Sequence, residues 1–399
     1  MNFIFTKPGN YKILYIRNNT SQELPKFLKN KKILNIYSLE TLQNLYFFIL
    51  IRAISISLFA INQKIKFRTR LKINYYKIVF KITNPKVVIS TNEGDPIFYF
   101  LKNFHSESKF LIIQNGRKNH NYIINLIKEF KNKNGLPSPN LDYFFCYGTN
   151  IGNNLGKLLL KKTKFIAHGS SVNNDIKINS NKKKKYICII SEVFYPETKV
   201  FLSEIFNKKF ISFDDYYKAE KFILPKVINF FHNKNINIKI ITRSNYSDSS
   251  DVKKFEKNFF NFLNKTNVKK LNFSCESKLS LKQKYQLTDN SILNFGFGVS
   301  SMDFEILSRG NKFCFLNYRG RFLKELKYGN CGFWYWPLKI KNFIYTLDDL
   351  NEKKINIYLN KLLKIKKNNY FLHKNFLMNF ITFDYKNSRF KKVLIDIVK

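Results

Sequence analysis

The clearest fold signal in the chain is the stretch at residues 294–310, which reads NFGFGVSSMDFEILSRG. A short apolar run passes through a glycine-containing turn into an amphipathic segment that ends at Gly310, a common helix stop. We therefore predict a strand, a turn and a helix. At the helix start, Ser300 and Ser301 can offer hydroxyls and amides to a phosphate, helped by the helix dipole. One turn later, Glu305 can accept hydrogen bonds from a ribose diol. The alternative is a solvated polar face with Ser300 as N-cap.

The same alternation of short apolar runs and helix-like segments extends outward over nearly the whole chain. Such runs indicate parallel sheets covered by helices on both faces. A polar segment at 172–185, rich in Asn and Lys, interrupts the pattern and predicts a linker. The sequence thus predicts an α/β fold with two Rossmann-like domains, residues 1–178 and 179–399, whose parallel sheets face a central cleft.

The boundaries of the predicted elements follow from the apolar runs and the turn signals between them. Predicted strands are 12–16, 33–37, 87–91, 110–114, 143–147, 165–167, 186–190, 238–242, 270–273, 291–295 and 312–316. Predicted helices lie near 41–61, 67–82, 96–103, 120–132, 155–162, 213–233, 251–265, 280–287 and 301–309.

Composition limits the class of protein and its partners. The 399 residues suit two domains, and an apolar content of 44% suits buried cores. The formal charge of +43 comes mostly from Lys, accompanied by abundant Asn, Ile, Phe and Tyr, so AT-rich codon usage accounts for much of it. What remains is a surface attracted to polyanions, among them anionic membrane. The five cysteines contain no C-x-x-C pair, which predicts no disulfide framework or zinc site and favours a reducing compartment.

The N-terminal part of the chain predicts a cytoplasmic protein. Residues 1–12 contain no apolar stretch long enough for a secretory signal. The stretch 45–61, interrupted by Arg52, falls short of the roughly 20 residues of a spanning helix, so we predict a buried core helix. The basic run that follows suits either a solvated face or peripheral contact with anionic membrane at the inner face. That run contains Lys64, Lys66, Arg68, Arg70 and Lys72.

Residues that directly follow the predicted strands are the candidates for chemistry, because ligands bind beyond the carboxyl ends of parallel strands. Glu93 and Asp95 are candidate general bases for an acceptor hydroxyl, although Asp95 also suits a helix cap ahead of Pro96. Arg243 follows a strand of the second domain and can contact a diphosphate with two parallel hydrogen bonds. His168 is more typical of a structural histidine. Further cleft candidates are Gln114, Asn115, Gly116, Gly169, Ser170 and Ser191.

An ordered set of short motifs over about residues 80–320 resembles a family of surface carbohydrate biosynthesis proteins akin to GT-B glycosyltransferases. The set comprises Gln114-Asn115-Gly116, Asp142-Tyr143-Phe144 with Tyr147-Gly148, Gly169-Ser170 with Asn173-Asn174, and Ser300-Ser301 with Glu305 and Gly310. The resemblance implies a nucleotide-sugar donor held mainly by the second domain and an acceptor held by the first. It implies no metal and no cofactor besides the donor substrate, and a last helix that returns to the first domain.

The sequence also departs from the pattern of that family. Thr242-Arg243-Ser244 stands where many relatives have a His-Pro pair, and Ser191-Glu192-Val193 replaces a glycine-rich loop. The favoured function is transfer of a sugar from a nucleotide-sugar to a glycan or lipid-linked acceptor in bacterial surface polysaccharide biosynthesis. The alternatives are a nucleotide-sugar epimerase, a polyol-phosphate transferase, or a non-enzymatic nucleic-acid binder. Because the basic residues are dispersed and no nucleic-acid module is present, we expect no nucleic-acid partner.

Overall fold

The chain, described here from a computed structural model, divides into two compact units. Unit 1 comprises Met1–Asp175 and Met378–Lys399, and unit 2 comprises Ile176–Leu377. The predicted boundary at 178/179 therefore falls three residues late, and the C-terminal segment belongs to the first unit. The structure describes residues 2–17, 24–29, 31–37, 39, 44–59, 64–116, 126, 128–130, 135–158, 162–179, 186–191, 204–206, 209–211, 213–242, 273–276, 279–296, 300–316, 352–366, 379 and 381–399.

The described elements are numbered here in chain order. Strands are β1 (Phe3–Ile4), β2 (Ile13–Arg17), β3 (Ile33–Tyr37), β4 (Leu45–Tyr46), β5 (Val87–Ser90), β6 (Lys109–Ile113), β7 (Tyr143–Cys146), β8 (Lys164–Ala167), β9 (Tyr186–Ser191), β10 (Glu204–Phe206), β11 (Lys209–Ile211), β12 (Asn237–Thr242), β13 (Phe273–Glu276), β14 (Asn294–Gly296) and β15 (Phe313–Phe315). Helices are α1 (Phe47–Phe59), α2 (Phe67–Thr83), α3 (Phe98–Leu101), α4 (Thr149–Leu158), α5 (Ser171–Asn174), α6 (Phe213–His232), α7 (Leu281–Asp289), α8 (Ser301–Ser308), α9 (Glu352–Lys364) and α10 (Ser388–Val398).

The main sheet of unit 1 has six parallel strands in the order β3-β2-β5-β6-β7-β8. Alternate side chains of these nearly continuous apolar strands point to opposite faces, so both faces need covering. Phe110 contacts Phe80 of α2 on one face, with ring centroids 5.6 Å apart. On the other face, Phe390 of α10 packs 4.8 Å from Phe145. This contact explains why the last helix belongs to unit 1.

The main sheet of unit 2 has five parallel strands in the order β13-β12-β9-β14-β15. Its two faces are covered in the same way. Phe295 of β14 packs against Phe231 of α6, at 5.6 Å between ring centroids. Phe315 of β15 points to the opposite face and lies 4.9 Å from Phe304 of α8. The predicted α/β class with parallel sheets is therefore confirmed in both units.

Several predicted boundaries differ from the structure. The predicted linker 172–185 begins inside α5, where Asn173 and Asn174 are fully buried. The strand predicted at 270–273 lies at Phe273–Glu276, and the helix predicted at 155–162 lies at Thr149–Leu158. The helix predicted at 251–265 lies outside the described residues, as does most of the one predicted at 120–132. Strands and α-helices that were not predicted are β1, β4, β10, β11, α5 and α9.

The prediction of a buried core helix at 45–61 is wrong for most of its surface. Helix α1 (Phe47–Phe59) buries a narrow stripe of Ile49, Ala53 and Ser57, whereas large apolar side chains elsewhere on it are exposed. It packs mainly on α2, which itself packs on the sheet. Apolar content alone indicated burial, but the second-layer position leaves one face of the helix uncovered. No helix among the described residues is long and apolar enough to cross a bilayer.

Candidate functional site

The strand order of unit 2 places its candidate site at a topological switch point. β9 is the first strand of this sheet in chain order, and the later strands extend from it in both directions, through β12 on one side and β14 on the other. This 3-2-1-4-5 order is that of nucleotide-binding α/β folds, in which ligands occupy the crevice where the order reverses. Ser191 ends β9 and is fully buried, and Phe295 of β14 pairs with Ile189 two residues earlier. The carboxyl end of β14 therefore lies beside that of β9.

Gly296 ends β14 and has to be a glycine for packing reasons. A β-carbon at this position would lie 2.6 Å from Oδ1 of Asp303 and 2.7 Å from the ring of Phe313. Asp303 is a fully buried residue in the first turn of α8. The missing side chain therefore lets α8 approach the end of its strand closely, as expected for a strand-to-helix turn that supports a ligand.

Ser300 and Ser301 lie at the start of α8, as predicted. The Ser300 hydroxyl accepts a hydrogen bond of 3.2 Å from the backbone N–H of Met302. Ser300 is therefore the N-cap, the alternative given for it above, and Ser301 is the first residue of the helix. Both side chains are partly exposed, so they remain accessible to a ligand.

Glu305 lies one turn into α8 and is buried. One oxygen of its carboxylate accepts a hydrogen bond from the hydroxyl of Tyr285 in α7. The guanidinium of Arg309 lies over the Tyr285 ring, 4.8 Å from its centroid. The side chain that was predicted to bind a ribose is thus held in a defined orientation by a neighbouring helix.

Arg309 and Asp289 form a buried ion pair behind this site. Nε and Nη2 of Arg309 donate to the two carboxylate oxygens of Asp289, with Nε at 2.9 Å and Nη2 at 2.5 Å. The guanidinium also donates to the carbonyls of Ile176 and Lys177, and Asn311 donates to Asp289 at 2.7 Å. The side chains of Arg309 and Asp289 are both fully buried. The group therefore anchors the start of unit 2 to α7 and α8.

Sequence reasoning missed Tyr285, Asp289 and Arg309 because their contacts span about 20 residues or more. A local signal exists only for the helix that carries Tyr285. Ser280 and Gln283 form a capping box, and this pattern can be read in the sequence. Arg243 lies outside the described residues, so its predicted contact with a diphosphate stays a prediction.

In unit 1 the strand order reverses between β2 and β5, and polar side chains lie at that point. The hydroxyls of Tyr15 in β2 and Thr91 after β5 are 2.6 Å apart and hydrogen-bonded. Arg17 at the end of β2 lies over the rings of Tyr15 and Tyr37. Asn92 N–H donates to the Ser90 hydroxyl at 3.0 Å. Sequence reasoning also missed Tyr15 and Arg17, since it did not consider the residues that end β2.

Glu93 and Asp95 both lie after β5, and the carboxylate of each accepts a hydrogen bond from a backbone N–H. Glu93 is only 1% exposed, and its Oε1 accepts a hydrogen bond of 3.0 Å from the N–H of Asn115. Asp95 Oδ1 accepts from the N–H of Ile97 at 3.0 Å, next to the start of α3. Glu93 thus ties the loop after β5 to the loop after β6, while Asp95 stabilises a helix start. A role for either as a general base stays a prediction.

The predicted set Gln114, Asn115 and Gly116 follows β6 directly. The Gln114 side chain donates to the Gly116 carbonyl at 2.9 Å and accepts from the Tyr147 N–H at 2.8 Å. Gly116 has a φ of 76°, a conformation that favours glycine. This glutamine therefore joins the ends of β6 and β7. Together with Glu93 it links three adjacent strand ends of the same sheet edge.

Gly169 and Ser170 follow β8 and contact the C-terminal segment of the chain. Gly169 has a φ of 78°, and a β-carbon there would overlap the carbonyl oxygen of Thr382. Ser170 caps α5 through the N–H of Asn173 at 3.4 Å. The preceding His168 is fully buried, with Nδ1 3.1 Å from Oδ2 of Asp384. His168 is therefore structural, in agreement with the sequence analysis.

The described residues contain no group of three His, Cys, Asp or Glu side chains arranged to hold a metal ion. The candidate groups of unit 1 and unit 2 each lie at the carboxyl edge of their own parallel sheet.

A protein-family model described as "putative O-antigen biosynthesis protein" matches residues 111–397. The chain belongs to this family. The match includes the motifs after β6, β7 and β8 and the whole of α8, which are the motifs behind the resemblance stated above. The expected relation to surface carbohydrate biosynthesis is therefore confirmed. Among curated protein sequences, none matches the chain.

Solved structures similar to this chain include a UDP-GlcNAc 2-epimerase and a glycosyltransferase. A UDP-GlcNAc 2-epimerase from Methanocaldococcus jannaschii has a TM-score of 0.50 and 12% identity, over 96% of this chain and 99% of that chain. A glycosyltransferase from Rickettsia africae has a TM-score of 0.48 and 12% identity, over 98% and 99%. The first similarity shows the fold, and the expected GT-B class is confirmed.

Proposed function

We propose that this protein binds a nucleotide-sugar in surface polysaccharide biosynthesis and transfers its sugar to a glycan or lipid-linked acceptor. The observation that carries the proposal is the position of Glu305. This buried carboxylate lies one turn into the helix that leaves the switch-point strand of unit 2, where nucleotides bind in folds of this strand order. Membership of the O-antigen biosynthesis family supports the surface polysaccharide part.

The roles that we propose in unit 2 rest on this geometry for α8 and on the sequence for Arg243. Glu305 accepts hydrogen bonds from the ribose diol, and Tyr285 keeps the carboxylate oriented through its hydroxyl. The first turn of α8, at Ser300 and Ser301, stabilises the diphosphate as it leaves, together with Arg243. No metal ion takes part in this proposal, because cationic and amide groups supply the stabilisation of the leaving group.

For the general base in unit 1, we propose Glu93 in preference to Asp95. Asp95 Oδ1 accepts the N–H of Ile97, a contact that belongs to helix initiation. Glu93 lies at the edge where the order of the strands reverses, and its hydrogen bond from Asn115 fixes its position. A general base needs such fixed placement. We place the reaction in the cytoplasm, where nucleotide-sugars serve as donors. The reducing environment there also suits the free cysteines.

A second candidate function is epimerisation of a nucleotide-sugar. Its support is the shared fold with the UDP-GlcNAc 2-epimerase of M. jannaschii. Epimerisation uses the same donor but needs no acceptor, so the two activities differ in one simple requirement.

The test offers radiolabelled nucleotide-sugars to the purified protein, with and without a membrane extract as acceptor source. Label that appears in extract glycan or lipid supports transfer, whereas a changed nucleotide-sugar without extract supports epimerisation. Glu305→Gln should lower either activity at least about tenfold, since a charge-assisted hydrogen bond is lost. The matched control is Glu129→Gln, an exposed glutamate in unit 1, which should leave the activity unchanged. No turnover of any donor under both conditions would contradict the proposal.

A further inference from the structure

Helix α1 (Phe47–Phe59) turns its large apolar side chains outward, whereas an ordinary surface helix turns them towards the core. The stripe that faces α2 consists of Ile49, Ala53 and Ser57, of which two are small. Ser57 Oγ donates to the Ala53 carbonyl at 2.6 Å and accepts from Asn74 of α2 at 2.9 Å. Large apolar residues occupy the outward face instead. A helix of a water-exposed domain normally has the reverse pattern.

The outward side chains form one continuous surface, here called the apolar patch. At about 100° per residue, Phe48, Ile51, Leu58 and Phe59 fall on the half of α1 opposite the buried stripe. Phe59 is 84% exposed, Leu58 62% and Phe48 57%. The apolar patch consists of Phe5, Phe48, Ile51, Ile56, Leu58 and Phe59.

The N-terminal strand extends this surface. β1 pairs in parallel with β4, the strand that runs directly into α1. This pairing brings Phe5, which is 60% exposed, to a ring-centroid distance of 5.1 Å from Phe47 and 6.5 Å from Phe48. Aromatic side chains from two separate segments thus meet at the start of the helix. Exposed apolar surfaces of this kind mark interaction sites in soluble domains.

The described charged residues of the segment that carries helix α1 have one sign. Residues 41–92 contain no Asp or Glu. Arg52 is exposed on α1, and Lys64, Lys66 and Arg68 are exposed at the start of α2. Basic residues near an anionic bilayer are attracted to its negative surface potential. Among the described residues of this segment the apolar surface is accompanied by cations, which makes it complementary to a layer of anionic headgroups above hydrocarbon. A second copy of the same surface would bring like charges together.

We propose that the apolar patch and its basic border form an interfacial docking surface for an anionic lipid bilayer. α1 lies in the plane of the membrane with Phe48, Leu58 and Phe59 among the acyl chains, while Lys64, Lys66 and Arg68 contact the headgroups. The occupant is the lipid surface itself. The inference is independent of the proposed enzymatic function, because it rests only on exposure and charge in unit 1.

Flotation of the full-length protein with lipid vesicles tests the inference. We expect the protein to float with vesicles of phosphatidylcholine and phosphatidylglycerol, more weakly with phosphatidylcholine alone, and less as salt is raised. The triple variant Phe48→Ser, Leu58→Ser, Phe59→Ser should bind at least about tenfold more weakly, because three side chains no longer enter the bilayer. Since these side chains are exposed, the variant should melt at the temperature of the parent chain.

Two controls separate the alternatives. Ile357→Ser and Ile395→Ser remove exposed apolar side chains of unit 2 and of α10, and they should leave vesicle binding unchanged. Sedimentation velocity of the parent chain and of the triple variant reports on self-association. A parent chain that does not float with anionic vesicles would overturn the inference, as would a dimer that the triple variant dissociates while vesicle binding stays the same.

Discussion

The carbonyl oxygen of Thr382 lies where a β-carbon on Gly169 would have to stand. The C-terminal segment therefore passes directly over the end of β8 and depends on a glycine there. Thr382 N–H also donates to the Tyr147 carbonyl at 2.8 Å, so the segment is attached to two adjacent strand ends. This close approach is part of what joins Met378–Lys399 to unit 1.

Gly169→Ala should lower the free energy of unfolding by well over the cost of placing an alanine at a left-handed φ. The reason is that the new methyl group displaces Thr382 from the end of β8. The matched control is Gly310→Ala. Gly310 has nearly the same φ, 77° against 78°, but nothing lies within 4 Å of its added β-carbon. The control should lose only about 1 to 2 kcal/mol, the conformational cost alone. Urea unfolding of both variants measures the difference, and equal losses would contradict the role of the Thr382 contact.

The pKa of Asp384 predicts how the C-terminal segment responds to acid. Burial by itself raises the pKa of this carboxyl, but hydrogen bonds from His168, Ser388 and the Arg389 N–H outweigh it and lower the pKa below its ordinary value. A lowered pKa in the folded state means stabilisation that is complete above the ordinary carboxyl pKa of about 3.9 and is lost as the pH falls through the folded value.

Asp384→Asn should therefore be less stable than the parent chain near neutral pH, and the difference should shrink as the pH is lowered below about 4. Thermal unfolding of both proteins from neutral to acid pH gives the comparison. A difference in melting temperature that stays constant over this range would contradict the assignment of the pair His168–Asp384.

The buried pair Arg309–Asp289 should be much more important for stability than an accessible pair in the same unit. Asp289→Asn leaves the Arg309 guanidinium without a compensating charge in a fully buried place, at a cost of about 3 to 5 kcal/mol. Lys239→Met removes the partly exposed pair with Glu276 and should cost no more than about 1 kcal/mol. Equal losses in urea unfolding would show that the buried pair does not anchor the start of unit 2.

The thiol of Cys146 should be inert in the folded protein. Burial raises its pKa to about 12, so almost no thiolate exists at pH values near 8. Cys188 and Cys314 are buried as well. In a labelling experiment with iodoacetamide, these three cysteines should react only after denaturation, with the modified peptides identified by mass spectrometry. Rapid labelling of Cys146 in the native protein would mean that β7 is accessible.

The parallel strands could be predicted well because continuous apolar runs bounded by turns are a local property. β3 begins and ends where the sequence predicted, and β2, β5 and β6 agree within one residue. The contacts of the candidate sites could not be predicted, since they join distant positions. Glu305 is held by Tyr285, which lies 20 residues away in sequence, and His168 meets Asp384 across 216 residues.

The mistaken linker and the mistaken core helix have related causes. Asn173 and Asn174 are polar but fully buried, and Asn174 Nδ2 donates to Oδ1 of Asn387 in the C-terminal segment at 3.1 Å. α1 is apolar but exposed on one face, and among the described elements α2 and β4 make its main contacts. In both segments the polarity of the residues gave the wrong prediction of solvent exposure. Exposure depends on packing partners that lie elsewhere in the chain.

The most direct test of the account measures the binding of nucleoside diphosphates by isothermal titration calorimetry. The parent chain should bind at least one of UDP, GDP, ADP and CDP. Glu305→Gln should bind it about tenfold more weakly, through the loss of a charge-assisted hydrogen bond to the ribose. The affinity of Glu129→Gln should equal that of the parent. If no nucleotide binds the parent chain, or if Glu305→Gln binds as tightly as the parent, the nucleotide site at α8 is contradicted.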